Sequence, residues 1–379
     1  MSHKILFTAS TFSHIANFHR PYLAQFARLG WEVHVACGGP ERDIPEAQRI
    51  IHIPLEKSMT SPKNWQAVRL LRRMAREEGY ALVSCHTSLA SFFTRLAVMG
   101  LRERPLVACT SHGYLFDGQS APVKRALLSG AERMTAPVTD LLMTMNDWDG
   151  RYAQKHRLGR RTVQIPGMGV DFSRLDACPP EEGAALRRDL GLGPERFLFL
   201  YAAEFSPRKS QAHLIRALSL LPEAAVLALP GEGALREDCI RLSEELGLGG
   251  RVIFPGQVSD MPRWYAAADG AVSASRSEGL PFNIMEAMYA GLPIAASAVK
   301  GHTDLIRPGE TGLLFPYGDW MACGEAMSAL LRDRTWSAQL GARAHEAVLS
   351  YGLDRVLPQV MEQYQRLLPL KERQPAALG

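Results

Sequence analysis

The chain of 379 residues is long enough for two domains, and its 46% hydrophobic residues suit a globular fold. It carries 43 basic and 39 acidic side chains, a net charge of +4, which gives no reason to expect a nucleic-acid partner. No apolar run is long enough to cross a bilayer, and the amino terminus lacks the pattern of a secretory leader, so we expect a cytoplasmic protein, peripheral to the membrane at most.

The first half alternates short apolar runs with segments of helical periodicity, a pattern typical of a parallel sheet with crossover helices. The predicted strands are Lys4–Thr8, Glu32–Ala36, Ala81–Ser84, Leu106–Cys109, Asp140–Met145 and Thr162–Ile165. The predicted helices are Phe18–Leu29, Pro62–Glu78, Leu89–Met99, Val123–Ala136 and Asp147–His156.

A segment rich in glycine and proline, Ile165–Asp171, interrupts this alternation and predicts a domain linker. The second half repeats the alternation, with a long helical pattern from Trp320 to Leu349 and a last helix from about Asp354 to Leu368. Its predicted strands are Phe197–Ala203, Ala225–Ala228, Val252–Phe254, Gly270–Ser273, Ile294–Ala296 and Gly312–Phe315. Two alternating halves indicate two Rossmann-like domains.

The stretch after the strand Gly270–Ser273 enters a helix near Pro281. Proline is favoured in the first turn because its missing N–H would be unbonded there. We expect the N–H groups of Phe282, Asn283 and Ile284 to be free, which makes the start of this helix a candidate anion site.

Two carboxylates flank that helix start, Glu278 in the turn before it and Glu286 inside it. An ionised carboxylate only accepts hydrogen bonds, so the pair suits a ligand that carries hydroxyls as well as phosphate, such as a nucleotide-sugar. The alternative is a surface helix with one capping and one solvated glutamate. Spacing alone leaves the two interpretations even.

Three short motifs in this stretch carry a family resemblance. Glu278-Gly279-Leu280-Pro281, Glu286-Ala287-Met288 and Gly291-Leu292-Pro293 resemble the donor-site signature of GT-B glycosyltransferases, family 4 of the retaining enzymes. The resemblance implies an α/β fold of two Rossmann-like domains with parallel sheets facing across a cleft, and a C-terminal helix that crosses back to the first domain. It implies an acceptor-binding domain over residues 1–170, joined by about 352–370, and a donor-binding domain over residues 171–351.

The resemblance also implies roles for individual residues. His112 would contact the donor sugar, Glu278 the sugar hydroxyls and Lys209 the diphosphate, and these three are the expected catalytic residues. The family has an arginine where this chain has Glu204, and Arg208 or Arg276 could replace it; a hydrophilic loop is the alternative for both. The expected donor-binding residues are Glu286, which would bind the ribose, and Gly279, Leu280, Pro281, Phe282, Asn283, Arg208, Gly231 and Glu232.

The first loop and the motif Phe18-His19-Arg20-Pro21-Tyr22-Leu23 resemble a subgroup of this family associated with bacterial surface polysaccharides. Ser13, His14 and Asn17 are therefore candidate acceptor-side residues. The sequence allows equally that Ser13 or Asn17 caps the following helix.

Four arginines, Arg69, Arg72, Arg73 and Arg76, share one face of a predicted helix. Four like charges on one face suit an anionic membrane surface or a lipid-linked diphosphate. A solvated arginine face is the alternative.

The resulting prediction is a retaining glycosyltransferase that moves a hexose or N-acetylhexosamine from a nucleotide-sugar, UDP-linked by expectation, to a glycan or polyprenyl-diphosphate-linked acceptor in surface polysaccharide synthesis. No D-x-D motif stands in a cleft-like loop, so we expect no metal and no cofactor. The alternatives are a nucleotide-sugar epimerase of the same fold and a non-catalytic nucleotide-sugar-binding protein.

Overall fold

A computed structural model describes residues 3–56 and 58–367. The chain forms two compact units. One contains the described residues up to Met168 together with Asp354–Leu367, and the other contains Gly169–Leu353.

The first unit is built on a parallel sheet of seven strands among the described residues. In spatial order the strands are β3-β2-β1-β4-β5-β6-β7. Their bounds are β1 Lys4–Ala9, β2 Glu32–Cys37, β3 Arg49–His52, β4 Leu82–His86, β5 Leu106–Ser111, β6 Leu141–Thr144 and β7 Arg161–Gln164. The helices that connect them are α1 Phe12–Phe18, α2 Arg20–Arg28, α3 Pro62–Glu77, α4 Ser88–Val98, α5 Pro122–Thr135 and α6 Asp147–His156.

The central strands of this sheet are apolar on both faces, because helices cover each side. In β1 every residue from Ile5 to Ala9 is buried, and β4 is buried throughout. Strand β1 pairs with both β2 and β4, with Thr8 opposite Ala36 and Cys85. The direction of strand order reverses between β1 and β4, so the loops that follow these two strands meet at the carboxyl edge where ligands of open sheets usually bind.

The second unit contains a six-stranded parallel sheet of described strands in the order β10-β9-β8-β11-β12-β13. Its strands are β8 Phe197–Leu200, β9 Ala225–Ala228, β10 Val252–Ile253, β11 Gly270–Ser273, β12 Ile294–Ser297 and β13 Leu313–Phe315. Its helices are α7 Ser173–Asp176, α8 Pro180–Asp189, α9 Gln211–Leu218, α10 Arg236–Glu245, α11 Met261–Ala267, α12 Phe282–Tyr289, α13 His302–Leu305, α14 Trp320–Arg332 and α15 Arg334–Val348. Here the strand order reverses between β8 and β11.

The last described helix, α16 Leu353–Leu367, packs into the first unit. Tyr364 is fully buried, with its hydroxyl 2.7 Å from Ser84 Oγ and its ring 5.3 Å from that of Phe26. The expected return of the chain to its first unit is confirmed. Residues 368–370 of the expected segment lie outside the described residues.

The structure corrects four details of the expected elements. Helix α1 and strand β3 were not predicted, and β8 ends at Leu200 instead of Ala203. The long helical pattern from Trp320 is two helices, because the Asp333 carboxylate accepts a hydrogen bond of 2.9 Å from Trp336 N and starts α15 as its N-cap.

All six cysteines are free, and all except the half-buried Cys178 are buried. Over residues 3–56 and 58–367, every helix is too short or too polar to cross a membrane.

Candidate functional site

The loops that follow β8 and β11 meet at the point where the strand order of the second unit reverses. Lys209, in the first loop, places its Nζ 2.6 Å from Glu278 Oε1 in the second. Arg208 donates to Glu278 Oε2 at 2.9 Å and to the Ser277 carbonyl at 3.1 Å. Three residues that the sequence predicts for the site are thus in direct contact.

Glu278 is buried, with 7% of its side chain exposed, yet it stays ionised. Burial by itself would raise its pKa, but the charges of Lys209 and Arg208 outweigh burial and lower the pKa to about 2. Two cations and one anion leave this cluster with a net charge of +1. It can therefore attract an anion and at the same time present a carboxylate acceptor.

Buried hydroxyls hold the two loops together. Tyr201 donates to the Lys209 carbonyl at 3.3 Å, and its hydroxyl lies 2.7 Å from Ser275 Oγ. Ser297 Oγ in turn donates to the Ser275 carbonyl at 2.6 Å. These bonds fix the loop backbones beneath Lys209 and Glu278.

The start of α12 differs in part from the expectation. Pro281 is the residue before the helix, and Asn283 donates through Nδ2 to the Ala202 carbonyl at 3.1 Å. The N–H of Ile284 donates to Asn283 Oδ1 at 3.0 Å, so the expectation that this N–H is free is wrong. Asn283 therefore ties the helix to the loop after β8. Gly279 is half-buried and Leu280 is buried in the turn before the helix.

Glu286 lies one turn further along α12. The Tyr265 hydroxyl donates to Glu286 Oε2 at 2.9 Å. Burial raises the pKa of Glu286, and the Tyr265 hydrogen bond partly offsets this effect. Tyr265 was not identified from the sequence, because it lies in the apolar helix α11 and no motif marks it.

Gly231 and Gly233 follow β9 and adopt positive φ angles of 145° and 151°. A Cβ at these positions would collide with the carbonyl oxygens of Ala203 and Phe205. Both glycines are therefore required for close packing against the loop after β8. Glu232, between them, has an exposed side chain, and its carbonyl accepts from Phe205 N at 2.9 Å.

Glu204, which stands where the family has an arginine, is exposed, and Arg276 is exposed as well. Arg208 is the guanidinium that reaches Glu278. The structure therefore provides an arginine at this cluster from a position four residues later in the loop.

A cluster of histidines lies at the carboxyl edge of the first sheet. His14 Nε2 lies 3.4 Å from His112 Nε2 and 3.3 Å from His19 Nε2. His112 Nε2 also lies 3.4 Å from His86 Nδ1, while His86 Nε2 lies 2.9 Å from Ser84 Oγ. These residues come from α1, the junction of α1 and α2, β4 and the loop after β5.

Burial keeps these histidines neutral. It lowers the pKa of His14 to about 4 and those of His19, His86 and His112 well below the ordinary value, and proximity to one another lowers the pKa values of the latter three further. His19 Nδ1 is buried without a hydrogen-bond partner among the described residues. Three of the four, His14, His19 and His112, are close enough to hold a metal ion.

The acceptor-side candidates occupy α1. Thr11 is the N-cap of α1 and its hydroxyl accepts from His14 N, so Ser13 and Asn17 lie inside the helix and the capping alternative for both is wrong. Ser13 Oγ is 3.0 Å from Thr11 Oγ1, and Asn17 is exposed.

An apolar pocket of about 300 Å³ lies beside the loop between β1 and α1 in the first unit. The hydroxyls of Ser10 and Thr87, which line the pocket, lie 2.7 Å apart. Its other walls include Leu89, Phe92, Tyr114, Leu115 and Phe116.

The arginines of α3 do not share one environment. Arg72 donates to the carbonyls of Ala97 at 3.0 Å and Met99 at 2.7 Å, at the end of α4. Arg69, Arg73 and Arg76 are exposed. The expected four-arginine surface therefore consists of three arginines.

Two family models match the chain, glycosyltransferase family 4 over residues 22–174 and glycosyl transferases group 1 over residues 184–347. A Bacillus subtilis (strain 168) protein named as a glycosyltransferase, EpsD, is 33% identical over 99% of both chains. An Escherichia coli UDP-Gal:alpha-D-GlcNAc-diphosphoundecaprenol alpha-1,3-galactosyltransferase is 24% identical over 76% of this chain and 77% of the relative. The solved structure of Anabaena Alr3699/HepE in complex with UDP and glucose superposes with a TM-score of 0.79 at 20% identity, over 96% of this chain and 100% of that one.

Together, these matches confirm the resemblance drawn from the motifs around Glu278. The protein is a transferase with the GT-B fold, and the chain belongs to the family 4 glycosyltransferases.

Proposed function

We propose that this protein is a retaining glycosyltransferase that moves a hexose or N-acetylhexosamine from a UDP-sugar to a glycan or lipid-linked acceptor in bacterial surface polysaccharide synthesis. The observation that carries the proposal is the contact of Lys209 and Arg208 with the buried, ionised Glu278 at the strand-order reversal of the second unit.

The donor fits this cluster by charge and by hydrogen bonding. Lys209 and Arg208 neutralise the diphosphate, whose negative charge grows as the sugar leaves. Glu278 accepts hydrogen bonds from the sugar hydroxyls, and Glu286, held by Tyr265, accepts from the ribose. The choice of UDP is supported by the Anabaena structure and the Escherichia coli relative, whose names contain UDP or UDP-Gal.

Glu278 is unsuited to act as a nucleophile. Two cations hold it and its pKa is about 2, so its oxygens carry little basicity. In our mechanism the bond between the anomeric carbon and the phosphate oxygen breaks, and the departing oxygen takes the proton of the acceptor hydroxyl. The acceptor oxygen bonds to the anomeric carbon on the same face, which retains the configuration. His112 contacts the donor sugar as a neutral imidazole.

The first unit binds the acceptor in this proposal and the second binds the donor. The apolar pocket beside Ser10 and Thr87 suits the lipid part of a polyprenyl-diphosphate-linked acceptor, and the curated Escherichia coli relative is named for a diphosphoundecaprenol substrate. Arg69, Arg73 and Arg76 would hold the protein at an anionic membrane surface on the cytoplasmic side. Ser13, His14 and Asn17 lie on the acceptor side.

We propose that neither diphosphate binding nor the transfer itself needs a metal ion or a cofactor, because Lys209 and Arg208 supply the countercharge. UDP affinity measured with and without magnesium or manganese tests this point. An affinity that depends on either ion would contradict it.

Calorimetry of the full chain against UDP, GDP and ADP, each with and without its sugar, tests the donor assignment. We expect a UDP-sugar to bind most tightly, and sugar transfer from it to a short lipid-linked acceptor. Binding of no nucleotide, or equal binding of all three, would overturn the assignment.

The two alternatives give different outcomes in the same assay. An epimerase changes the sugar and releases no UDP in response to an acceptor, while a non-catalytic binding protein consumes no donor. UDP release that requires the acceptor supports the transferase.

A further inference from the structure

We propose that His14, His19 and His112 bind a divalent transition-metal ion, with zinc as the ion that their geometry fits. These residues belong to the first unit, whereas Lys209 and Glu278 belong to the second. His14 and His112 also have roles in the proposed function, but zinc binding is measured without donor or acceptor, so the two proposals can fail independently.

Two of the three distances between the rings match those between neighbouring ligands of a tetrahedral ion. Zinc binds histidine nitrogen at about 2.1 Å, which places neighbouring ligands of a tetrahedron roughly 3.4 Å apart. His14 Nε2 lies 3.3 Å from His19 Nε2 and 3.4 Å from His112 Nε2, and one nitrogen of each of the three rings lies within 4.8 Å of those of the other two.

Hydrogen bonding within the cluster does not account for this arrangement. A ring nitrogen carries either one N–H or one lone pair in the ring plane, so it cannot serve two partners in different directions. His14 Nε2 faces both His19 and His112, whose rings are inclined to its own by 46° and 86°. The separations of 3.3 and 3.4 Å are also long for hydrogen bonds. A cation at the centre would instead use one lone pair from each ring.

The choice of side chains indicates the class of metal. Imidazole suits zinc, copper, nickel and iron, whereas magnesium and calcium prefer oxygen ligands. Buried rings in the neutral form present the lone pair that coordination requires.

The fold holds the three rings in place before any ion binds. Thr11 caps α1 at His14 N, and the His19 ring packs 3.8 Å from the His86 ring. His86 itself is held by Ser84 at 2.9 Å, and its Nδ1 lies 3.4 Å from His112 Nε2. With three histidine ligands, a tetrahedral ion keeps one position open for water or a hydroxyl oxygen.

The test uses the full chain purified without a histidine tag and stripped with a chelator. We expect one zinc ion per chain in competition titrations with a chromogenic chelator, a zinc-dependent rise in the melting temperature, and the visible absorption of tetrahedral cobalt when cobalt replaces zinc. Less than stoichiometric binding, or an octahedral cobalt spectrum, would overturn the proposal.

Variants locate the site. His14→Gln and His112→Gln should each weaken zinc binding by at least about 100-fold, since each removes one of three ligands. His52→Gln, which changes an exposed histidine of β3, is the matched control and should bind as the native chain does. Retained affinity in both cluster variants would contradict the assignment. If these variants do not fold, the stoichiometry and cobalt spectrum of the native chain decide.

Discussion

The contact between Lys209 and Glu278 gives the sharpest prediction, because the two side chains should affect UDP in opposite directions. Lys209→Met removes one of two cations and takes the cluster from a net +1 to neutral. Glu278→Gln keeps the shape of the side chain, removes the anion, and frees Lys209 from its 2.6 Å contact. The first change should weaken UDP binding and the second should not.

The expected size of the effect follows from the burial of the pair. At 4 Å and an effective dielectric constant of 20, two unit charges interact by about 4 kcal/mol. Glu278 offsets part of the attraction between Lys209 and a diphosphate, and hydrogen bonds to charged groups contribute about 1.5–3 kcal/mol. We therefore expect Lys209→Met to cost about 2 kcal/mol, or roughly 30-fold in Kd for UDP.

Titration calorimetry with UDP and with the UDP-sugar measures both effects. Glu278→Gln should bind UDP at least as tightly as the native chain but lose most of the extra affinity that the sugar provides. Arg216→Ala removes an exposed cation from α9 and controls for the change in overall charge. In the double variant, the change in the free energy of UDP binding should differ from the sum of the two single changes, because the two side chains are in contact. If Glu278→Gln weakens UDP binding as strongly as Lys209→Met does, the contact between the two side chains serves mainly to hold the loops in place, and the electrostatic argument fails.

Three further predictions concern separate parts of the molecule. Tyr265→Phe removes the donor to the half-buried Glu286 and should raise the pKa of its carboxylate further. As the solution is acidified, UDP binding, measured as Kd against pH, should therefore begin to weaken at a higher pH than in the native chain; an unchanged profile would contradict a role for ionised Glu286. Gly231→Ala should lower the melting temperature and weaken UDP binding because its Cβ meets a backbone carbonyl, whereas Gly249→Ala, at a position with open space, should do neither. Arg73→Glu should reduce co-sedimentation with anionic vesicles and leave UDP affinity unchanged. Equal co-sedimentation of the variant and the native protein would contradict a role for Arg73 in membrane binding.

Sequence patterning located most elements, because apolar runs and helical periodicity report burial directly. It missed β3, whose residues Arg49–His52 are mostly exposed and include an apolar run of only two residues, Ile50 and Ile51. It missed α1, since the seven residues Phe12–Phe18 are too few for a clear period. Asp333 was not identified as a helix start because the apolar pattern continues on both sides of it.

The candidate site was predictable where its residues belong to one short motif. Glu278 and Glu286 could be found in that way, and Lys209 could be added from the family resemblance. The partner of Glu286 could not, because Tyr265 comes from a separate apolar helix and is brought to α12 only by tertiary packing. The histidine cluster was invisible for the same reason, since its members come from separate elements and their spacing in the chain matches no metal-binding motif.

The position of Tyr364 has a consequence for how the protein is made. The sheet of the first unit is translated early, but the helix that supplies Tyr364 follows the whole of Gly169–Leu353. At 5–20 residues per second this delay lasts about 10–40 s, during which the seat beside Phe26 and Ser84 stays uncovered. The unit that is synthesised first is thus completed last. A chain that ends before α16 would lack the helix that covers Phe26 and Ser84 in its N-terminal unit.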